Sequence, residues 1–361
     1  MNLGKKSPAD PSLSVQVSQP APCQQRLQIS VSSHGVQPVR DLIVQEFRKE
    51  AAIAGFRKGK APRQLVEQKY PSEIREETVR RLTRQVLEQV TEEKKLKPVG
   101  PFEVIKLDFD DQQGLKLEAQ VEVEPEFKLA DYKGLAASAP GTDVSAEDIQ
   151  QALAQLQESA AQLVPVEEGK PKEKKVPALD DDFAKDVGFE KLEDLRQHLE
   201  AKLREQKQQQ RRGRIEQSLT DALLGRHQFE VPPKLVERQA EKLTRDFQMR
   251  LLLSGVPEDQ ATQELAKYTE QLRTNAIRLV KLTFILDRIA EKESLSVTQD
   301  ELVDRLWKLS KRWNKDPAQV RQWLDSQGLW PSVISSIRQD KTMALLADSA
   351  KISEESKSLA T

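Results

Sequence analysis

Apolar residues recur at helical spacing through nearly all of the sequence after Asp180, and this periodicity limits the fold more than any other feature. Helix start and stop signals divide the stretch into several helices. These signals are Pro232–Pro233, Thr298 with Glu301, Asp316–Pro317 and Gly328. No stretch reaches the roughly 18 apolar residues that a membrane-spanning helix needs. The second half is therefore predicted to be helical and not to enter a membrane.

The first third follows a different pattern. Four segments alternate apolar and polar residues as half-buried strands do: Leu13–Ser18, Leu27–Ser32, Phe102–Asp110 and Leu115–Val123. Two helical patterns separate the strand pairs, one from Pro38 in its first turn to about Ile53, the other carrying Ile74 to Val90. The order ββααββ predicts a small α+β domain ahead of the helical region, so the predicted fold class of the chain is α+β.

Composition excludes several kinds of site. The formal net charge is −1, and Cys23 is the only cysteine, so neither a disulfide framework nor a multi-cysteine metal site is expected. The three histidines lack ligand spacing, and no phosphate-binding loop is present. The acidic run Asp180–Asp182 is interpreted as a helix N-terminus. We expect no cofactor, no metal and no catalytic residue. The N-terminus has no signal-peptide core, which favours a cytoplasmic location.

A strongly basic segment separates the first two helical patterns: residues 55–62, Gly-Phe-Arg-Lys-Gly-Lys-Ala-Pro, called the basic loop below. Two glycines permit sharp turns, and Phe56 belongs to no apolar stripe. The cations in or beside the loop are Arg57, Lys58, Lys60 and Arg63. One interpretation is a solvated loop whose Phe56 folds back onto its own domain. The other is a stiff tip that presents cations to phosphate oxygens or carboxylates.

The basic loop resembles the signature Gly-Phe-Arg-x-Gly-x-x-Pro by which trigger factors bind ribosomes, and residues 55–62 match every fixed position. The resemblance implies an ATP-independent chaperone that docks at the exit tunnel, on a ribosomal protein and ribosomal RNA, and shields nascent or unfolded polypeptides. A weak homodimer is left open. The ribosome-binding residues implied by the match are Gly55, Phe56, Arg57, Lys58, Gly59, Lys60 and Pro62.

The similarity extends to residues 176–187 and 229–233, which resemble parts of the family's helical C-terminal domain, a domain related in architecture to SurA. The resulting domains are a flexible tail (1–12), a ribosome-binding domain (13–133), a linker with one helix (134–175), a helical chaperone domain (176–352) and a flexible tail (353–361). Apolar residues left over by the helix faces are candidates for client binding: Met249, Leu251, Leu252, Leu253, Trp323 and Trp330.

Typical trigger factors carry an FKBP-like prolyl-isomerase domain before the segment that resembles 176–187. Here only about a dozen residues separate Leu163 from Val176, whereas an independent domain needs at least about 50. We therefore expect that domain to be absent and the chain not to be an enzyme. The alternatives are an active isomerase, a ribosome-independent holdase, a periplasmic SurA-like chaperone, and a helical nucleic-acid-binding protein, which the near-zero net charge disfavours.

Overall fold

The computed structural model describes residues 13–160, 162–164, 173–175 and 177–354. These residues form two compact units. Unit 1 contains the described residues up to Lys128 together with Gln228–Phe284, and unit 2 contains Leu129–His227 with the described residues from Ile285 onward. The predicted domain boundaries stay predictions. The predicted tail 1–12 lies outside the described residues, as do most of the residues between 161 and 176.

The N-terminal part has the order β1 (Leu13–Ala21), β2 (Gln24–Val31), α1 (Ser33–Glu50), α2 (Arg63–Lys69), α3 (Pro71–Glu93), β3 (Glu103–Asp110) and β4 (Gly114–Glu122). The strands form an antiparallel sheet in the order β1-β2-β4-β3. The predicted ββααββ arrangement is confirmed, with the short helix α2 added between the two long ones.

The core of this sheet follows directly from the alternation in the sequence. In the register between the central strands, Leu27 lies opposite Ala119 and Ile29 opposite Leu117. These side chains point to one face, where α3 covers them. The α3 residues that pack there are Leu82, Val86, Leu87 and Val90. The helix faces and the strand faces therefore meet in one apolar layer, as the periodicities predict.

The prediction that Pro38 lies in the first turn of α1 is wrong. The helix begins five residues earlier, at Ser33, and Pro38 lies inside it. Proline removes one helical hydrogen bond and is normally costly there. Val36 in the additional turn is only 2% exposed and packs against the sheet, so its burial stabilises a turn that local propensity disfavours.

The remaining elements are β5 (Ala136–Ala139), α4 (Ala146–Ser159), β6 (Gln162–Val164), β7 (Glu173–Lys175), α5 (Asp181–Asp186), α6 (Leu192–Arg226), α7 (Pro233–Leu253), α8 (Glu258–Lys292), α9 (Gln299–Trp313), α10 (Pro317–Gln327), α11 (Trp330–Ser349) and β8 (Lys351–Glu354). The predicted helical region is confirmed. Its capping box at Thr298 and the left-handed helix stop at Gly328 both form.

Two segments predicted to be a linker and a tail instead pair with each other. β5 lies within the predicted linker and forms a parallel ladder with β8, which includes Ser353 and Glu354 of the predicted tail. β5 also packs on α6, where the Ser138 N–H donates to Ser218 Oγ at 3.4 Å. The β5 sequence, Ala-Ala-Ser-Ala, has no alternation typical of a strand. It becomes a strand by pairing with β8, which is far away in the chain and which no local pattern indicates. Residues 355–361 lie outside the described residues.

In unit 1, α7 and α8 form a helical hairpin whose base is joined to the sheet domain. The Glu122 carboxylate at the end of β4 accepts a hydrogen bond from the Lys234 N–H at 2.9 Å, in the first turn of α7. Such a carboxylate satisfies an unpaired N–H group at the positive end of the helix. Cys23, a buried thiol, donates to the Glu230 carbonyl at 3.2 Å. The single cysteine thus has a packing role.

In unit 2, the segment that enters β5 is fixed by a tyrosine and a histidine. Tyr132 is buried and donates to Glu293 at 2.6 Å, and burial and this carboxylate raise the pKa of Tyr132 to about 12. His227 is also buried: its Nε2 accepts from the Ala130 N–H at 3.0 Å, and its Nδ1 lies 2.7 Å from the Leu223 carbonyl. These contacts require the neutral ring with its proton on Nδ1, as expected for a packing residue.

Candidate functional site

The basic loop is built from consecutive tight turns that only glycine adopts readily. Gly55 has φ +86° and Gly59 has φ +80°, both in the left-handed region. The Phe56 N–H donates to the Ile53 carbonyl at 3.0 Å, and the Lys60 N–H donates to the Arg57 carbonyl at 2.9 Å. Both turns are closed by backbone hydrogen bonds, so the backbone that carries the intervening side chains has a defined conformation.

The two ends of the basic loop are anchored to the helices. Ala61, at its exit, is 2% exposed and packs in a cluster with Ile43 and Val66, and Ile53 just before the loop packs against the same cluster. On the entry side, Lys69 Nζ donates to the Ala52 carbonyl at 2.7 Å. The loop is therefore held at both ends by contacts that leave its tip uncovered.

The side chains of the tip face solvent. Phe56 is 42% exposed, which argues against the interpretation that it folds back onto the domain. Arg57, Lys58 and Lys60 are exposed and make no ion pair with any of the described residues. An exposed phenyl ring beside three uncompensated cations forms a surface suited to anions that also carry an apolar or flat face.

Arg63 differs from the other three cations because its charge is already used. Its guanidinium donates to Asp41 at 2.5 Å and to Glu67 at 3.0 Å. These hydrogen bonds, first to Asp41 and then to Glu67, raise the pKa of Arg63. The side chain therefore ties α2 to α1, and the cation count of four from the sequence becomes three available cations.

A second arginine joins the two long helices of the N-terminal part, α1 and α3. Arg81 of α3 binds both carboxylate oxygens of Glu46 in α1, at 2.9 and 2.8 Å. Its hydrogen bonds lower the pKa of Glu46. Bidentate pairs of this kind add geometric definition even where their net energy is small. The long helices α1 and α3, which are joined through the basic loop and α2, are thus held in one orientation.

Comparison with known proteins places the chain in a family. A family model described as bacterial trigger factor protein matches residues 13–156, and one described as the C-terminus of bacterial trigger factor protein matches residues 191–348. The chain belongs to the trigger factor family. Its role is therefore that of a chaperone.

Relatives and a solved structure agree with that assignment. The trigger factor of Anaeromyxobacter sp. (strain Fw109-5) is 23% identical over 427 residues, which cover 94% of this chain and 99% of the relative. That of Citrifermentans bemidjiense is 27% identical, with 91% and 95% covered. A solved structure described as promiscuous substrate recognition by the trigger factor chaperone has a TM-score of 0.52 at 17% identity, covers 93% of this chain and 99% of the other, and shows the same fold.

Part of the apolar set predicted for client binding is exposed at the tip of the α7–α8 hairpin. Met249 is 57% exposed, Leu253 is 80% exposed, and Leu252 is exposed beside them. Leu251 is half-buried. Met249, Leu252 and Leu253 are called the hairpin tip below. In this trigger factor the hairpin tip exposes apolar side chains that are not part of the core where α7 packs against α8.

The tryptophans of this trigger factor provide a second apolar surface, in unit 2. Trp323 is exposed, whereas Trp330 is half-buried and donates from Nε1 to Asp325 at 2.6 Å. Sequence reasoning missed Trp307 and Trp313, both exposed; Trp313 meets Trp323 edge to face with ring centroids 5.3 Å apart. The sequence did contain an indication of this surface, because the four tryptophans of the chain all lie between residues 307 and 330. Trp307, Trp313 and Trp323 are called the tryptophan surface.

The structure also bears on the other kinds of site. Among the described residues, no group of three or more histidine, cysteine, aspartate or glutamate side chains could hold a metal ion. No helix formed by those residues is long and apolar enough to cross a membrane. The Asp180 side chain accepts from the Phe183 N–H at 2.9 Å and so caps α5, which confirms the interpretation of the acidic run.

Proposed function

We propose that this chain docks on the ribosome near the polypeptide exit tunnel through the basic loop, contacting ribosomal RNA and an exit-tunnel protein. The observation that carries the proposal is the exposed Phe56 beside three cations that pair with no described residue, on a loop anchored at both ends. Phosphate oxygens suit Arg57, Lys58 and Lys60, and a base or apolar side chain suits the phenyl face.

Co-sedimentation with ribosomes tests the proposal. We expect Phe56→Ala/Arg57→Ala/Lys58→Ala to bind at least about tenfold more weakly than the parent protein, and the parent's binding to weaken steeply with salt. The matched control is Lys267→Ala/Tyr268→Ala/Arg273→Ala, which removes an aromatic ring of the same exposed fraction and two exposed cations from α8. Equal pelleting of the parent and the Phe56 variant would refute docking through the basic loop.

Clients would bind to apolar surfaces without a nucleotide cycle. The hairpin tip and the tryptophan surface together present exposed Met, Leu and Trp side chains to nascent or unfolded chains in the cytoplasm. Scattered apolar contacts protect aggregation-prone segments without sequence specificity, and weak affinity permits release as the client folds. A holdase that ignores ribosomes uses the same surfaces, and it predicts no loss of pelleting in the Phe56 variant.

We also propose that the chain lacks the family's prolyl-isomerase domain and is not an enzyme. Three observations support this. The family models leave only residues 157–190 unmatched between them, and Leu163 of β6 pairs with Lys174 of β7 in a short antiparallel hairpin. Both spans are shorter than the about 50 residues that an independent domain needs. In addition, the alignment with the Anaeromyxobacter relative runs over 427 positions against 361 residues here.

A refolding assay limited by proline isomerisation checks this proposal. Uncatalysed isomerisation takes about 10–100 s at 25 °C, so catalysis is readily seen. We expect the purified chain to leave the slow phase unchanged at catalytic concentrations while still reducing aggregation of the refolding protein. Clear acceleration at those concentrations would show that the chain is an isomerase after all.

A further inference from the structure

An apolar groove of about 260 Å³ lies where α9, α10 and α11 of unit 2 meet. It is called the aliphatic groove, after the residues that form most of its wall: Leu302, Val303, Leu306 and Ile334. Val303 is 49% exposed and Ile334 is 38% exposed, so the groove is open to solvent. Gln299, Trp330 and Arg321 complete the lining, and Arg321 is the charged residue among them. The groove therefore suits an apolar side chain with an anion beside it.

The aliphatic groove continues toward the tryptophan surface along one row of α9. Val303, Trp307 and Lys311 follow one another at four-residue spacing, which makes their side chains neighbours on the helix surface. All three are exposed, and the exposed fraction of Trp307 is 53%. The row leads from an aliphatic side chain across an indole ring to an ammonium group. Because Arg321 lines the groove, a cation lies at each end of the apolar stretch.

Positive charge dominates this part of unit 2. Residues 304–323 contain six basic and two acidic side chains, although the whole chain has a formal net charge of −1. One of the two acids, Asp316, caps α10 by accepting from the Ala318 N–H at 2.8 Å. Five of the cations are exposed and make no ion pair with any residue that the structure describes: Lys308, Lys311, Arg312, Lys315 and Arg321. Their charge is available to a ligand.

We propose that the aliphatic groove and Trp307 bind extended client segments in which acidic residues flank aliphatic or aromatic side chains. This rests on the proposed function, since it requires that the tryptophan surface binds clients. One apolar side chain of the client fills the groove, a second lies on the indole ring of Trp307, and the flanking carboxylates meet Arg321 and Lys311. Charge complementarity around an apolar contact governs which partner binds more than how tightly it binds. The surface therefore selects among clients.

The shape of the surface favours a peptide over single-stranded RNA. RNA also uses cations and aromatic rings, but its bases stack on free ring faces. Trp313 and Trp323 meet edge to face, with an interplanar angle of 88°, so the edge of one ring covers the face of the other. The wall of the groove is aliphatic, which suits leucine, isoleucine or phenylalanine and offers nothing to the polar edge of a base.

The hairpin tip provides the contrasting surface. Residues 246–264, which contain it, carry four acidic side chains and one basic side chain. An acidic client segment is repelled there and attracted at the aliphatic groove, although both surfaces expose apolar residues. The preference for acidic segments thus belongs to the groove in unit 2 and not to exposed apolar residues in general.

Fluorescence anisotropy with three short peptides tests the proposal. The acidic peptide is Gly-Asp-Leu-Phe-Leu-Glu-Gly. In its two counterparts the acidic residues are replaced by Asn and Gln or by Lys, and all three carry the same uncharged dye. We expect the full chain to bind the acidic peptide most tightly and the lysine peptide most weakly. The difference between them should shrink as the salt concentration rises.

Two matched variants separate the local charges from the net charge. Lys311→Gln/Arg321→Gln should weaken binding of the acidic peptide about fivefold and change that of the amide peptide by less than about twofold. Arg196→Gln/Lys202→Gln, which removes one exposed arginine and one exposed lysine from α6, should bind all three peptides as the parent does. Unchanged far-UV circular dichroism would show that the variants fold.

Trp307→Ser distinguishes failure of the charge selection from failure of the client role. It should weaken binding of all three peptides. Equal affinity of the parent for the three peptides, all weakened in Trp307→Ser, would refute selection by charge and leave client binding intact. Absence of binding, or binding that Trp307→Ser leaves unchanged, would refute the client role of this surface as well. If oligouridylate displaces the acidic peptide at a lower concentration than the unlabelled peptide does, the occupant is RNA and the proposal is wrong.

Discussion

Two glycines of this chain each have room for a side chain but should respond to alanine in opposite directions. A Cβ on Gly59 or on Gly213 meets no atom within 4 Å. Gly59 has φ +80°, where a side chain strains the backbone, whereas Gly213 lies within α6. We expect Gly59→Ala to lower the free energy of unfolding of unit 1 by about 1 kcal/mol, and Gly213→Ala to raise that of unit 2 by up to about 1 kcal/mol.

Urea unfolding followed by far-UV circular dichroism measures both effects, and tryptophan fluorescence isolates unit 2, where all four tryptophans lie. Gly59→Ala should also weaken ribosome binding if the turn orients Phe56. Stabilisation by Gly59→Ala would contradict the strained geometry that we assign to the basic loop.

At the same scale, the two glycines predicted the turns of the loop, the sequence left open whether Phe56 is exposed, and it misjudged one cation. The motif Gly-Phe-Arg-x-Gly fixes backbone conformation locally, so the turn could be predicted from the residues alone. Arg63 pairs with Asp41, which lies 22 residues earlier in the chain. Such a contact depends on how α1 and α2 pack, and no local pattern encodes it.

At the scale of elements, the N-terminus of α4 is tied to α6 by one carboxylate. Asp148 accepts from Lys207 Nζ at 2.6 Å and from the Ser145 N–H at 2.8 Å. These bonds, the one with Lys207 foremost, lower the pKa of Asp148 to about 2. A carboxyl whose pKa is lowered by folding contributes stability above its unfolded pKa of about 4, and that contribution is lost as the pH falls toward 2.

Asp148→Asn tests this link, because asparagine can still accept from the Ser145 N–H but does not titrate. We expect the melting temperature of unit 2, followed by tryptophan fluorescence, to fall less steeply between pH 4 and pH 2 in the variant than in the parent. Lys207→Met removes the main cause of the low pKa of Asp148, so the melting temperature of this variant should also fall less steeply between pH 4 and pH 2 than that of the parent. Parallel pH profiles for all three proteins would exclude the proposed role of Asp148.

Elements with strong internal periodicity were predicted correctly, and those defined by distant partners were not. β4 and the helices from α6 onward carry their apolar pattern within their own sequence. The short β5 has only alanine and serine, and it becomes a strand through β8. Trp307 and Trp313 of α9 were missed for a similar reason. The sequence of α9 does not show which of its apolar side chains are covered by another helix and which are exposed.

At the scale of the whole molecule, the hairpin tip lies in unit 1 and the tryptophan surface in unit 2, so each can be removed separately. We expect Met249→Ser/Leu253→Ser to reduce suppression of client aggregation without lowering stability by more than about 0.5 kcal/mol, because both side chains are largely exposed. Leu279→Ser, an exposed leucine on α8 outside both surfaces, is the matched control.

Light scattering of an aggregating client measures the effect, and the same assay with Trp307→Ser/Trp323→Ser reports on the second surface. A reduction as large in Leu279→Ser as in the hairpin-tip variant would mean that general surface hydrophobicity, rather than either surface, protects clients.

The ladder between β5 and β8 has a consequence for the biosynthesis of the chain. All four strands of the sheet that carries the basic loop have been translated once Glu122 is made. Ala137 of β5 must instead wait for Ser353, 216 residues later, which at about 5–20 residues per second is a delay of roughly 10–40 s. The part of this chaperone that carries the proposed anchor can therefore mature on its own ribosome while unit 2 is still an unfinished nascent chain.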